Sequence, residues 1–175
     1  MEVERSFESH EDFKNPQDYN SQTLAYYDFD SLNAERIDPT KLDTMHRLSG
    51  MHAYKMKGTD EWGPMFKIRY DRLVPENRDH AWIRVTINYF SAEDIKENPA
   101  SVVINMPHRD YNLKYHSFNF DMEPSQKGKW NKVVFDYMTP FPYSEKDRFD
   151  IYIWHRGKSD LYLDDWKIES FLKKD

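Results

Sequence analysis

The stretch SDLYLDDWKIESF, residues 159–171, sets two carboxylates side by side, Asp164 and Asp165, among residues that favour a strand. Asp is disfavoured in strands. In a two-residue period one of the pair shares the side of Tyr162, Trp166 and Ile168, which the apolar residues assign to the core. A buried carboxylate needs a partner, and the candidates for Asp164 are a cation, backbone N–H groups or a Lys or Arg side chain; Asp165 is expected to face outward. A second acidic pair, Asp121 and Glu123 in NFDMEPS, has a strand spacing that would suit the two carboxyl groups of a glycosidase, about 5 to 10 Å apart. It falls where a turn begins and reads as a solvated strand end. The seven histidines, at 10, 46, 52, 80, 108, 116 and 155, form no HxH or HExxH pair, and the chain has no GxSxG elbow and no P-loop. No catalytic residue is expected.

A different chemistry comes from the faces turned away from the core. The run AWIRVTINYF alternates, with Ala81, Ile83, Val85, Ile87 and Tyr89 on one side and Trp82, Arg84, Thr86, Asn88 and Phe90 on the other. The same parity turns Val103 and Asn105 outward, with Tyr115, Ser117 and Asn119, and with Asp150, Tyr152 and Trp154. If these strands are neighbours in one sheet, Trp82, Arg84, Asn88, Asn105, Tyr115, Tyr152 and Trp154 form a ligand-binding surface. Aromatic rings stack on the C–H faces of pyranose rings, and amide, carboxylate and guanidinium groups meet the hydroxyls. The alternative is that residues 9–45 cover this face, making Trp82, Tyr152 and Trp154 a secondary core. Trp62, in TDEWGPMF, is placed at a loop rim.

The elements that must carry these residues are strands. MHAYKM, MFKIRYDRL, SVVINM, LKYHSFNFDM, KWNKVVFDYM and RFDIYIWH, with the opening stretch, are each bounded by turn-forming clusters such as VPENRDH and EPSQKGK. Eight or more strands separated by turns predict a single all-β sandwich. SAEDIKENPAS offers at most one helical turn before Pro99. Residues 9–45 are polar, with one strand-like piece, TLAYYDF, and read as a long irregular excursion with one edge strand.

Composition narrows the function classes. The chain has 175 residues, suited to one domain with a substantial core. Aromatics are 16%, more than a core of this size needs, which hints at a binding surface. Net charge is −6 and the basic residues are scattered, which argues against nucleic acid. There are no cysteines, so disulfides, thiolate metal sites and cysteine nucleophiles are excluded. No run approaches the ~20 apolar residues of a membrane helix, and MEVERSFESHEDF is too acidic and polar for a secretory signal.

Four pieces, in order, resemble landmarks of the galactose-binding-like jelly rolls, especially the family 4/9 type of carbohydrate-binding modules. Phe7-Glu8 is like their opening "FE". RLSGMHAYKM is similar to their "SG-x-x-S-x-K" strand, with Ala53 for the usual Ser. GKWNKVVFDYMTP resembles "G-x-W-x-x-x-x-F" with its following proline, and DLYLDDWKIESF the closing "YIDDV" strand, with Trp166 for a small aliphatic residue. The match spans residues 7–171, and the long segment between Glu8 and Ser49 departs from the family's compact spacing.

The resemblance implies a jelly-roll topology and core positions for Trp130 and Trp166. It also implies a structural calcium ion joining the first strand to the last, with Glu8, Asp164 and backbone carbonyls around Gly50 to His52 as ligands; calcium accepts six to eight oxygen ligands in irregular geometry. The implied function is noncatalytic binding of poly- or oligosaccharide within a larger secreted, periplasmic or surface-attached bacterial protein, its leader absent from this sequence; a cytoplasmic location stays open. The alternatives are a structural or protein-interaction jelly roll without sugar binding, and a polysaccharide-active jelly-roll enzyme, although the Arg, Gln-x-His and Tyr strand patterns of jelly-roll lyases are missing.

Overall fold

The computed structural model describes residues 13, 15–30, 37–75, 78–109 and 111–174. Among the described residues ten strands follow in order along the chain: β1 Tyr19–Tyr27, β2 Leu42–Asp43, β3 Ala53–Met56, β4 Trp62–Arg69, β5 Trp82–Ser91, β6 Ala100–His108, β7 Tyr111–Asn119, β8 Trp130–Met138, β9 Arg148–His155 and β10 Leu161–Lys173. They form two antiparallel sheets, one ordered β2-β3-β10-β5-β8 with β1 also paired to β10, the other β4-β9-β6-β7. This is the expected all-β sandwich of jelly-roll topology. Between the sheets lie the alternating apolar residues of facing strands, Ile83, Val85, Ile87 and Tyr89 of β5 against Val102, Ile104, Ile151 and Ile153, with Trp166 fully buried among them. Alternation with period two sorts each strand into a core side and an outward side.

Two expected boundaries shift. The run MFKIRYDRL does not stay extended: β4 ends at Arg69, and Tyr70–Leu73 forms a single helical turn, α1. Tyr70 and Leu73 are buried there, and the Tyr70 backbone N–H donates to the Asp147 carbonyl. Tertiary burial of two large side chains overrides the extended pattern. The edge strand in the excursion is longer than TLAYYDF suggests, because the whole of β1 pairs antiparallel with the second half of β10.

β10 organises the first sheet. Its first residues, Leu161 to Leu163, pair with β3, and from Trp166 onward it pairs with β1 on the same edge, while β5 runs along its other edge. Asp164 and Asp165 sit where the partner changes. The register with β5 shifts between Asp164 and Lys167, and Asp165 has φ +47°, so the pair forms a β-bulge. The extra residue reverses the parity. Leu161 and Leu163 face the core before it and Trp166 and Ile168 after it, whereas Tyr162 lies on the outer side, beneath His46 and Lys55. The expectation that Tyr162 shares a side with Trp166 fails for this reason.

Asp164 has no exposed surface, yet it belongs to the outer side with Tyr162 and is covered by the loop before β3. Its Oδ2 accepts the N–H groups of Leu48 (2.8 Å) and Ser49 (3.1 Å), and Oδ1 accepts that of Asp165 (2.8 Å). Two more aspartates hold the same loop: Asp43 takes the N–H groups of Met45 and His46, and Asp30 those of Met51 and His52. Gly50 between them has φ +53°, and a Cβ there would fall 1.4 Å from Asp30 Oδ2, so the loop closes over Asp30 only with glycine at this position. Asp165 accepts the Tyr26 hydroxyl (2.5 Å) and the Ser49 hydroxyl (3.0 Å), tying β1 to the same point.

Asp164→Ala strands three N–H groups without their acceptor, and each buried unsatisfied group costs about 1–3 kcal/mol. We expect a loss of roughly 3 kcal/mol or more in urea unfolding, against less than about 1 kcal/mol for Tyr26→Phe at the exposed end of the same network. Equal losses would show that the buried carboxylate is not the fastening.

Candidate ligand-binding face

The four-stranded sheet turns one side to the core, and the cross-strand register lays out its other side in rows. Trp62, Trp154, Ser101 and Asn119 form one row across β4, β9, β6 and β7; Met65, Tyr152, Val103 and Ser117 the next; Lys67, Asp150, Asn105 and Tyr115 a third. Arg69 and Arg148 stand opposite each other beyond them. With strands about 4.8 Å apart and rows about 7 Å apart, the three rows cover roughly 14 Å in each direction. Val103 and Ser101 are fully buried although they point away from the core, so larger neighbours such as Tyr152 and Trp154 close over them.

The aromatic end of this face is built by β4 and β9. Trp62 and Trp154 lie nearly parallel, 16° apart with centroids at 5.9 Å, and Trp62 meets Tyr152 edge-on at 5.6 Å. Arg156 lies 4.4 Å over the Trp154 ring and donates to Asn119 Oδ1 (3.1 Å), while Trp154 Nε1 donates to Glu61 (3.3 Å). Trp154 is therefore well engaged. Trp62, 53% exposed, offers the open ring. A cleft of about 310 Å³ opens beside Trp154, lined also by Gly58, Asp60, Glu61, His155, Arg156 and Gly157.

Polar groups occupy the rest. Tyr115 is 48% exposed and lies near Tyr152, whose phenol is pushed up to about 12 by burial first and by Tyr115 second; each offers a hydroxyl that can donate and accept a hydrogen bond. Asn105 has a buried Oδ1 with no hydrogen-bond partner among the described residues. Asp150, almost fully buried, receives Arg148 Nε on both oxygens at 2.7 and 2.9 Å.

The structure thus brings together Asn105, Tyr115, Tyr152 and Trp154 from the expected site, and adds Trp62, Lys67 and Arg148. It does not bring in Trp82, Arg84 and Asn88. These belong to β5, in the other sheet, and face the opposite side of the sandwich. Outward parity is the same for both sheets, so parity alone merges two surfaces that the core separates. Phe13 stacks on Trp82 at 5.5 Å and lies 5.0 Å from the Arg84 guanidinium, which is paired bidentately with Asp136. The covering by the excursion therefore applies to Trp82 and Arg84, and among the described residues no contact of the excursion with Trp62, Tyr152 or Trp154 is seen. Asn88 stands in register with Asp164 and Lys132.

Trp62 escapes a motif-based reading because Gly63-Pro64 looks like a turn. In the fold it is a register shift within β4, where a Cβ on Gly63 would lie 2.9 Å from Met56 Sδ and 3.0 Å from Ile153 Cβ. Trp166 is core as expected, whereas Trp130 lies on the outer side of the first sheet beside Phe90. Asp121 and Glu123 are exposed beyond β7.

For calcium, Phe7 and Glu8 lie outside the described residues. Asp164 fits a cation only if the ion shares oxygens that already take three N–H groups, and no three His, Asp or Glu side chains converge on a metal position among the described residues.

No protein-family model matches the chain, and no curated protein sequence matches it. Solved structures do share its fold. The CBM22-2 xylan-binding domain from Paenibacillus barcinonensis Xyn10C is 15% identical over 82% of this chain and 96% of its own, with TM-score 0.54. The CBM22-1 xylan-binding domain of the same protein is 15% identical over 89% and 97%, with TM-score 0.54. The tandem of both is 16% identical over 84% of this chain and 48% of the tandem, with TM-score 0.59. The likeness shows a shared β-sandwich fold and does not single out the family 4/9 type.

Beneath the cleft, His155 is buried and its Nε2 donates to Asn98 Oδ1 (3.0 Å); Asn98 Nδ2 donates in turn to Ser91 Oγ. Burial holds the His155 pKa below the ordinary value, with the backbone carbonyls of Asp60 and Lys57 acting the other way. The unfolded chain then takes up a proton near pH 6.5 that the folded chain refuses, so stability falls as pH drops below that point. Between about pH 7.5 and 5, the melting temperature should fall more steeply for the parent protein than for His155→Gln. Parallel slopes would assign the effect elsewhere.

Proposed function

We propose that this chain is a noncatalytic carbohydrate-binding domain whose ligand, a poly- or oligosaccharide, lies along the outer face of the four-stranded sheet. The observation that carries this is the open Trp62 ring, backed by Trp154 and set in one surface with Tyr115 and Asn105. Flat rings flanked by planar amides and hydroxyls meet both the apolar faces and the hydroxyls of sugars. Support from relatives comes from the two domains of similar fold that are named as xylan-binding. Absence of catalysis is supported by the state of the carboxylates on this face: Asp150 is locked by Arg148, and Glu61 accepts from Trp154, so neither is placed as a free acid or base. A domain with this role works outside the cytoplasm, within a larger secreted, periplasmic or surface-attached bacterial protein.

Affinity electrophoresis against xylan and mixed β-glucans tests the proposal. Trp62→Ala should weaken retention by about fivefold or more, in line with the ~1–3 kcal/mol of an aromatic stacking contact, while Trp130→Ala on the opposite side leaves it unchanged. The converse pattern would move the site to the other sheet, and no retention of the parent protein by any glycan would overturn the proposal.

A structural calcium ion held by Glu8, Asp164 and carbonyls around Gly50 to His52 is part of the same proposal and lies away from the binding face. EDTA should lower the melting temperature of the parent protein but not of Asp164→Asn. Identical melting with and without chelator would contradict it.

A further inference from the structure

The charged end of the same face points to the class of sugar. Arg69 of β4 and Arg148 of β9 are directly opposite in the ladder, a like-charge pairing that costs stability unless anions stand beside it. Two carboxylates do: Asp150 under Arg148, and Asp71 of α1 against Arg69 Nη2. The layering is uneven. The Asp150 side chain is 4% exposed, whereas the side chains of Arg148 and Arg69 are 51% and 49% exposed, and Lys67, opposite Asp150, is also exposed. Asp150 lies below the surface and Asp71 stands partly exposed beside Arg69, while Lys67, Arg69 and Arg148 reach furthest into solvent, on a chain whose net charge is −6. Arg148 meets Asp150 through Nε, and a guanidinium carries four further N–H donors.

We propose that the ligand is an acidic glycan, with sugar rings on Trp62 and Tyr115 and a uronic-acid carboxylate received by Lys67, Arg69 and Arg148. This rests on the sugar-binding role proposed above. Guanidinium groups recognise carboxylates with two parallel N–H donors. Trp154 and Arg148 are six residues apart on one straight strand, or about 20 Å. The aromatic and cationic ends are therefore reached by one chain of several sugars, not by one sugar.

The test is calorimetric titration with glucuronoxylan and polygalacturonate, each beside its carboxyl-reduced form. At least one acidic polymer should bind tenfold or more tightly than its reduced partner, with a preference that shrinks as salt rises. In Lys67→Gln/Arg69→Gln that ratio should fall toward one. Arg148→Lys, which keeps a cation over Asp150, should lower the ratio with melting close to that of the parent. Equal binding of acidic and reduced forms would overturn the acidic-ligand proposal while leaving sugar binding intact. Failure of all four polymers, together with the neutral glycans above, would overturn both.

Discussion

Three buried or half-buried aspartates hold one loop, and the sandwich is closed around that contact. Asp43, Asp164 and Asp30 accept successive pairs of N–H groups from residues 45–52, and Asp164 does so from the bulge where β10 changes partner. Backbone N–H groups in a loop packed over a sheet need acceptors, and here carboxylates supply them in charge-assisted form. The bulge also lets one strand of thirteen residues serve β3 with its first part and β1 with its second while keeping apolar residues on the core side in both. The segment before β3 and the last strand are thereby fixed to each other without a cysteine.

That fastening belongs to the first sheet and leaves the second free for other work. The outer side of the first sheet is occupied by Phe13 over Trp82 and Arg84 at one end, and by His46 over Tyr162 at the other. The second sheet carries Trp62, Tyr115 and the Arg69–Arg148 pair at its surface. Its central strands β9 and β6 pair with each other and hold the floor, Val103, Ser101 and Asp150, closed to solvent. A ligand face on rigid paired strands is preorganised, which lowers the ordering cost of binding.

The sandwich was legible in the sequence because period-two alternation and the turn clusters between the runs indicate the same fold. So was the buried role of one aspartate of the pair: backbone amides were among its possible partners and are the ones it has. The bulge was not legible. Nothing in YLDDW shows that an extra residue reverses the sides of Tyr162 and Trp166, since Asp165, at positive φ, finds its side-chain partners in Tyr26 and Ser49, far away in the chain. The layout of the proposed binding face was half legible. Parity identifies outward residues but not which sheet holds them, so Trp82, Arg84 and Asn88 were grouped with Tyr152 and Trp154 across the core. Trp62 was hidden behind a Gly-Pro that resembles a turn, and Lys67 and Arg148 behind the ordinary appearance of surface charges.

The five tryptophans report on this division directly, with Trp62 and Trp154 on the second sheet, Trp82 and Trp130 outside the first, and Trp166 in the core. The most direct measurement is NMR of the indole N–H resonances, assigned by single Trp→Phe replacements, during titration with a xylan-derived oligosaccharide carrying a uronic acid. The signals of Trp62 and Trp154 should move with ligand while those of Trp82, Trp130 and Trp166 stay in place. Movement of Trp82 or Trp130 with Trp62 and Trp154 unchanged would contradict a ligand face on the four-stranded sheet.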